Sequence, residues 1–279
     1  MRALAAIAFT FSTLAGSPGT VVNSQDGNGA GAQFDAPRGV AVDRAGNIYV
    51  ADTLNNTIRK ISPSGDVVTL AGMPGQGGFA NGTGAVARFN EPFGLAVDEA
   101  GTLYVADASN NAIRKITSAG VVSTLAGGGG AGSSDGMGPA ARLDEPRGIA
   151  VNSAGVITVA DYGSHTIRAI ATNGSTVTVA GVVGSPGTTD GSSTAARFHF
   201  PSGVALTTAG VIYVADTDND TIRKVTADGA VTAQGLTGRV YCIHVRRHAQ
   251  CLVGTNRSAH PGHGSPSRPG GSAVAPKPE

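Results

Sequence analysis

The chain contains no tryptophan, only two cysteines and three methionines, and just 14% of its residues are charged. Both cysteines, Cys242 and Cys251, lie outside the regular part of the sequence, so no disulfide framework staples the body and apolar burial with strand pairing must hold it. No apolar run is long enough to cross a membrane as a helix, and no membrane span is expected. The net charge of +1 hides an asymmetry. Residues 1–238 carry 14 Lys/Arg against 18 Asp/Glu, a net −4, whereas residues 239–279 carry 6 Lys/Arg against Glu279 alone, a net +5. A protein that grips a phosphate backbone needs a basic face, so the mildly acidic body argues against a nucleic-acid partner.

What the chain has instead is glycine, 42 residues of 279, with 14 prolines. That composition suits many short strands joined by tight turns, and the length suits one large all-β domain. A segment PRGVAVDRAGNIYVADTLNNTIRKI begins at Pro37 and recurs from Pro92, Pro146 and Pro201. The same steps separate Asp52, Asp107, Asp161 and Asp216, and also Arg59, Arg114, Arg168 and Arg223. Within a unit the apolar pattern has period two, in Gly39–Val42, Ile48–Ala51, Thr57–Ile61 and Val67–Ala71, with turn residues between the runs. Each unit is therefore expected to be a four-stranded antiparallel meander. One such sheet cannot bury both faces alone, so neighbours must stack about an axis as propeller blades do.

The recurring P-x-G-V-A-V-D-x-x-G-N-I-Y-V-A-D-x-x-N-x-x-I-R-K, followed by V-x-T-L-A-G, resembles the NHL repeat in its bacterial form with Gly-rich inserts. The Asn-His-Leu triplet of the family is replaced here by Asn55-Asn-Thr57, Asn110-Asn-Ala112, Ser164-His-Thr166 and Asn219-Asp-Thr221. The resemblance implies an all-β propeller of four-stranded antiparallel blades, in a ring like that of six-bladed propellers, with a recognition role at the cell surface or in the periplasm of a bacterium. Blades are expected at about 37–72, 92–127, 146–181 and 201–236 within a propeller spanning 11–258. The inserts end in Phe34, Phe89, Leu143 and Phe198, residues placed to plug the gaps between blades.

Both ends are ambiguous. Residues 1–10 read as a signal peptide or an extension, while Phe11–Gly16 copies Val122–Gly127, the last strand of a unit. Segment 239–254 aligns on the first two strands of a unit and, with strand 11–16, suits a degenerate fifth blade that closes the ring. The rival reading is that 239–279 is not native to the fold. Residues 259–279 are low in complexity and expected to be disordered.

Whatever occurs in every blade serves to build blades, so a unique site must lie in what differs. By that rule the repeated Asp and Arg are structural, each pair flanking the turn between second and third strands. Asp216, Asp218 and Asp220 have calcium-loop spacing, but Thr221 and Ala227 stand where such a loop needs Gly and Glu. Cys242, His244 and Cys251 reach one side of a hairpin if residues 246–249 turn, which suits zinc, a disulfide or free thiols. No nucleophile elbow, H-E-x-x-H or P-loop is read, and no cofactor is expected. The loops entering the first strand and leaving the second emerge on one face. Their variable residues Arg38, Phe93, Arg147 and Ser202, with Leu54, Tyr162, His165 and Asp218, form the expected binding surface for a protein or small ligand. The alternative function is a metal-dependent lyase or hydrolase at the mouth of the central channel.

Overall fold

The computed structural model describes residues 12–18, 24–233, 240–245 and 248–253, the last two stretches as backbone alone. Each sequence unit forms one antiparallel meander, with β-branched and aliphatic runs as strands and Gly, Asn and Asp clusters as turns. Blade 1 comprises the edge strand β1 (Gly27–Asn28) and then β2 (Pro37–Val42), β3 (Ile48–Asp52), β4 (Thr57–Ile61) and β5 (Asp66–Ala71). Blade 2 follows with edge strand β6 (Gly82–Thr83) and β7 (Pro92–Val97), β8 (Leu103–Asp107), β9 (Ala112–Ile116) and β10 (Val121–Gly127). Blade 3 has β11 (Gly136–Met137), β12 (Pro146–Val151), β13 (Ile157–Asp161), β14 (Thr166–Ile170) and β15 (Ser175–Ala180). In blade 4, β16 (Pro201–Leu206), β17 (Ile212–Asp216), β18 (Thr221–Val225) and β19 (Val231–Ala233) complete the set.

Within a blade the strands pair in chain order, and the insert ahead of blades 1, 2 and 3 adds its short strand to the outermost one. The four-blade propeller replaces the six-bladed ring that the resemblance suggested. Its physical reason is the repeat count: four units bury four sheets, and the described residues hold no further copy.

The innermost strands β2, β7, β12 and β16 lie side by side. A Cβ on Gly94 would collide with the carbonyl oxygen of Arg147, and one on Gly148 would lie 2.7 Å from the Cα of Gly203. Glycine at this repeated position is therefore what lets adjacent blades touch backbone to backbone. The apolar core fills the wedges between blades rather than any single sheet. Phe89 is wholly buried among Ala51, Ile58 and Ala71 of blade 1 and Leu95 and Leu103 of blade 2. Leu143 and Phe198 do the same at the next two junctions, which bears out the plugging expected of these residues.

Each repeated Arg ties a blade to its insert. Arg114 is buried, donating from Nη1 to Asp107 Oδ2 at 2.8 Å and to the Arg88 carbonyl at 2.9 Å. Its Nη2 reaches the Ala80 carbonyl at 2.8 Å and Asn81 Oδ1 at 2.9 Å. Arg59, Arg168 and Arg223 repeat the arrangement with Asp26, Asp135 and Asp190 in place of Asn81.

At the chain ends, Ala15 packs beside Phe34 and Val50 of blade 1. The Gly16 N–H donates to the Gly29 carbonyl at 3.0 Å, as Gly72 does to Gly84 at 3.1 Å one blade on. A two-stranded hairpin, β20 (Val240–Val245) and β21 (His248–Val253), lies at the other end with β21 against β16 and β17. Cys242 and Cys251 are backbone partners in its register. The side chains of Cys242, His244 and Cys251 fall outside the described residues.

Candidate functional site

The Pro that opens each innermost strand lacks an N–H, and the β2–β3 ladder is irregular there, between Pro37 and Val40. The other three blades slip at the same place. This bulge frees the Pro-x-Gly corner from the ladder and aims its variable side chain at the loop face. The residue before each Pro, Ala36, Glu91, Glu145 or Phe200, has φ between 46° and 50°. Such a conformation costs a β-substituted residue about 1–3 kcal/mol, so something must hold it. The preceding blade supplies the clasp: Asn56 Oδ1 accepts the Glu91 N–H at 2.8 Å, and Asn111 Oδ1 accepts that of Glu145 at 2.9 Å. At the third junction the acceptor is His165 Nδ1, 3.1 Å from the Phe200 nitrogen.

The corners of blades 1, 2 and 3 and the loops after β8, β13 and β17 line an open basin of about 750 Å³. Of the residues expected to bind, the fold brings Arg38, Phe93, Arg147, Tyr162 and Asp218 together in its lining. Arg38 and Arg147 flank the Phe93 ring, their guanidinium carbons 4.7 and 5.3 Å from its centroid. The Arg147 guanidinium also lies 3.3 Å from the Tyr162 centroid, and Tyr162 packs against Phe200 at 4.6 Å. His199 and His165 continue the row at 5.0 and 4.5 Å from the Phe200 ring. A ladder of cations and aromatic rings thus crosses all four blades.

Leu54 and His165 do not line the basin. Leu54 stands 48% exposed on its loop, where its N–H donates to the Asp35 carbonyl at 3.2 Å. His165 lies buried beneath Phe200 as an inter-blade clasp. Burial, and then the neighbouring His199, hold its imidazole below the usual histidine pKa. Ser202 is buried too, its Oγ 2.5 Å from the Thr217 hydroxyl.

The aspartates of the calcium-like spacing separate in role. Asp216 Oδ1 accepts the His199 N–H at 2.7 Å, while Oδ2 takes Asn219 at 2.8 Å and Arg223 at 3.0 Å. Both oxygens are engaged in the blade. Asp218 and Asp220 remain on the basin wall.

Glu91, Glu145 and Ser109, not among the residues expected from the sequence, also line the basin. The signal was available, since the pre-proline position varies from unit to unit just as the one after it does. Contrary to expectation, the sequence does hold a G-x-S-x-G string, Gly132 to Gly136. That string lies in the insert ahead of blade 3, not at a strand-to-helix elbow, and its Asp135 pairs with Arg168 at 2.8 Å.

Asp43 and Asp98, the carboxylates at the far ends of the innermost strands, cap turns. Asp43 Oδ1 accepts the N–H groups of Ala45 and Asn47 at 2.9 and 2.8 Å, and Oδ2 takes the Tyr49 hydroxyl at 3.0 Å. Asp98 repeats this with Ala100, Thr102 and Tyr104. Burial and then the neighbouring aspartate push each tyrosine pKa up to about 12.

Fold and site together define a β-propeller with a loop-built basin on one face. The NHL repeat family matches residues 34–61, 89–116, 143–170 and 198–225, one match per blade, and the chain is an NHL-repeat β-propeller protein. Over 92 residues it is 45% identical to the chloroplastic protein SUPPRESSOR OF QUENCHING 1 of Arabidopsis thaliana, covering 33% of this chain and 9% of that protein. It is 38% identical over 92 residues to human NHL repeat-containing protein 2, covering 32% of this chain and 13% of the relative. The chain thus spans a small part of these longer relatives. Among solved structures, an auxiliary nutrient binding protein from Bacteroides ovatus superposes with a TM-score of 0.57 at 22% identity, over 73% of this chain and 49% of that one. A virginiamycin B lyase from Staphylococcus aureus gives 0.51 at 14% identity, over 74% and 57%. At these identities the likeness is one of fold.

Proposed function

We propose that the protein is a non-catalytic recognition scaffold whose basin takes a protein segment or small ligand. One observation carries this reading. Positions that vary between otherwise repeating units, Arg38, Phe93, Arg147, Tyr162 and Asp218, converge on a single depression, whereas the repeated Asp and Arg are consumed in blade construction. Arginine and aromatic side chains are the types that anchor recognition surfaces. The engagement of Asp43, Asp98 and Asp216 in turns and blades supports a non-catalytic role.

Selection of binders from a displayed random-peptide library tests the proposal. Arg147→Ala and Tyr162→Ala are expected to weaken a selected peptide at least tenfold, while Leu54→Ser, on the same face but outside the basin, leaves binding intact. Binding indifferent to the two basin substitutions would refute it. The rival lyase or hydrolase reading predicts stoichiometric, tightly held metal in the purified protein, which elemental analysis detects. As part of the same proposal the protein works outside the cytoplasm of a bacterium, the apolar run Ala3–Phe11 serving in export. A reporter fused after residue 25 that stays in the cytoplasm would contradict that.

A further inference from the structure

The basin carries its charges in an order. Near the blade 1 end, Arg38 lies against Phe93 and, among the described residues, no carboxylate comes within ion-pair distance of it. Its pKa is pulled below the ordinary arginine value by burial and then by Arg147, more than the field of Glu91 restores. In the middle stand one ion pair and, in Glu91, a carboxylate with no cation within ion-pair distance among the described residues, whose field reaches Arg38. Arg147, with a side chain only 16% exposed, pairs with Glu145 at 3.1 Å, and Glu91 Oε2 accepts the Ser109 hydroxyl at 3.1 Å. At the blade 4 end stand Asp218 and Asp220, both exposed. The nearest cationic group to Asp218 is His199, with Nε2 4.0 Å away and charged only when protonated.

Resting on the reading of the basin as the binding face, we propose that it recognises a zwitterionic peptide end, with a free C-terminal carboxylate at Arg38 and a Lys or Arg side chain at Asp218 and Asp220. A guanidinium with open donors and a stacked, fixed plane is suited to bidentate carboxylate capture. The two aspartates repel a polyanion and attract a cation from the other end, so the charge axis selects orientation as well as class. Phe93 and Tyr162, which line the basin between the ends, offer aromatic surface for the intervening residues. Nucleic acid, which also carries anionic groups, has no counterpart for Asp218 and Asp220.

The test uses the full chain immobilised and three probes: a random hexapeptide pool with free C-termini, the same pool amidated, and a twelve-residue oligothymidylate. The free-acid pool is expected to be retained at least tenfold over the amidated pool, with Lys and Arg enriched at positions before the C-terminal residue. Arg38→Gln should abolish the acid-over-amide preference, and Asp218→Asn with Asp220→Asn should abolish the basic enrichment while leaving that preference in place. Among the described residues Arg38 makes no hydrogen bond that ties strand to strand or blade to blade, so a near-native melting temperature for Arg38→Gln is expected, and the aspartate variants test the other end independently. Equal retention of both pools, retention of neither, or retention of oligothymidylate ahead of both overturns the inference. Equal retention that is still lost in Arg147→Ala leaves the binding face standing and removes only the carboxylate reading.

Discussion

Replacing Arg114 by Met, similar in length and without charge, removes the cation from a fully buried pair and should destabilise the protein severely. Four partners lose their donor at once: Asp107 Oδ2 at 2.8 Å, the carbonyls of Arg88 and Ala80 at 2.9 and 2.8 Å, and Asn81 Oδ1 at 2.9 Å. Stripping one partner from a buried ion pair costs about 3–5 kcal/mol because the remaining charge is left uncompensated. Asp107 can recover part of this by holding a proton, since burial already pushes its pKa up to about 6. A net loss of roughly 3–4 kcal/mol is a large share of the roughly 5–15 kcal/mol that folded domains possess. For a chain of this size it corresponds to a fall of roughly 6–16 °C in melting temperature. Far-UV circular dichroism of thermal and urea unfolding measures it, with tyrosine fluorescence as a second probe because the chain lacks tryptophan. Arg114→Lys should fall between, keeping the charge but losing the fork that spans Asp107 and the insert. The double variant Asp107→Asn/Arg114→Met should recover stability relative to Arg114→Met alone, because no carboxylate is then stranded. An Arg114→Met protein within 1 kcal/mol of the parent would refute the claim that these pairs hold blade to insert.

Gly94→Ala places a methyl against the Arg147 carbonyl and should cost about 3 kcal/mol or more by prising two blades apart, read as a lowered urea midpoint; an unchanged midpoint would mean the innermost strands do not abut. Phe89→Leu copies the residue that blade 3 uses at Leu143 and should cost less than about 1.5 kcal/mol, against about 3–5 kcal/mol for Phe89→Ala, both by urea unfolding. His165→Asn copies the clasp at Asn56 and Asn111 and accepts the Phe200 N–H at every pH. The folded-state pKa of His165 lies below its unfolded value, so the parent's histidine favours folding above about pH 6.5 and loses that contribution as pH falls towards the folded pKa. The variant should therefore match the parent near pH 8 and exceed it near pH 5, and a stability difference independent of pH would reject the clasp.

The blades were legible because their makers repeat. Asp107 and Arg114, Gly94 and Phe89 each have counterparts at fixed spacing, and each does the same work in every unit. The binding face was legible as well, since strand order alone puts the Pro-x-Gly corners and the loops after the repeated Asp on one side. The pairings across blades were not. That Arg147 would lie on Tyr162 of its own blade yet share Phe93 with Arg38 depends on the bulge at each Pro and on the inter-blade spacing set by the glycines. His165 was misjudged as a surface contact because its positive φ of 59° and its bond to Phe200 arise only once blade 4 is in place. Glu91 and Glu145 stand just before the Pro-x-Gly corner, a position that the choice of residues after each Pro left out.

The chain divides into residues that build and residues that bind, and a side-by-side substitution scan tests that division most directly. Arg59, Arg114, Arg168 and Arg223, each changed to Met, are predicted to lower the melting temperature by several degrees or more. Arg38→Gln, Arg147→Ala and Tyr162→Ala are predicted to keep it near that of the parent and to lose retention of the free-acid peptide pool. A basin set that melts as early as the structural set, or that keeps its peptide retention, would contradict the division.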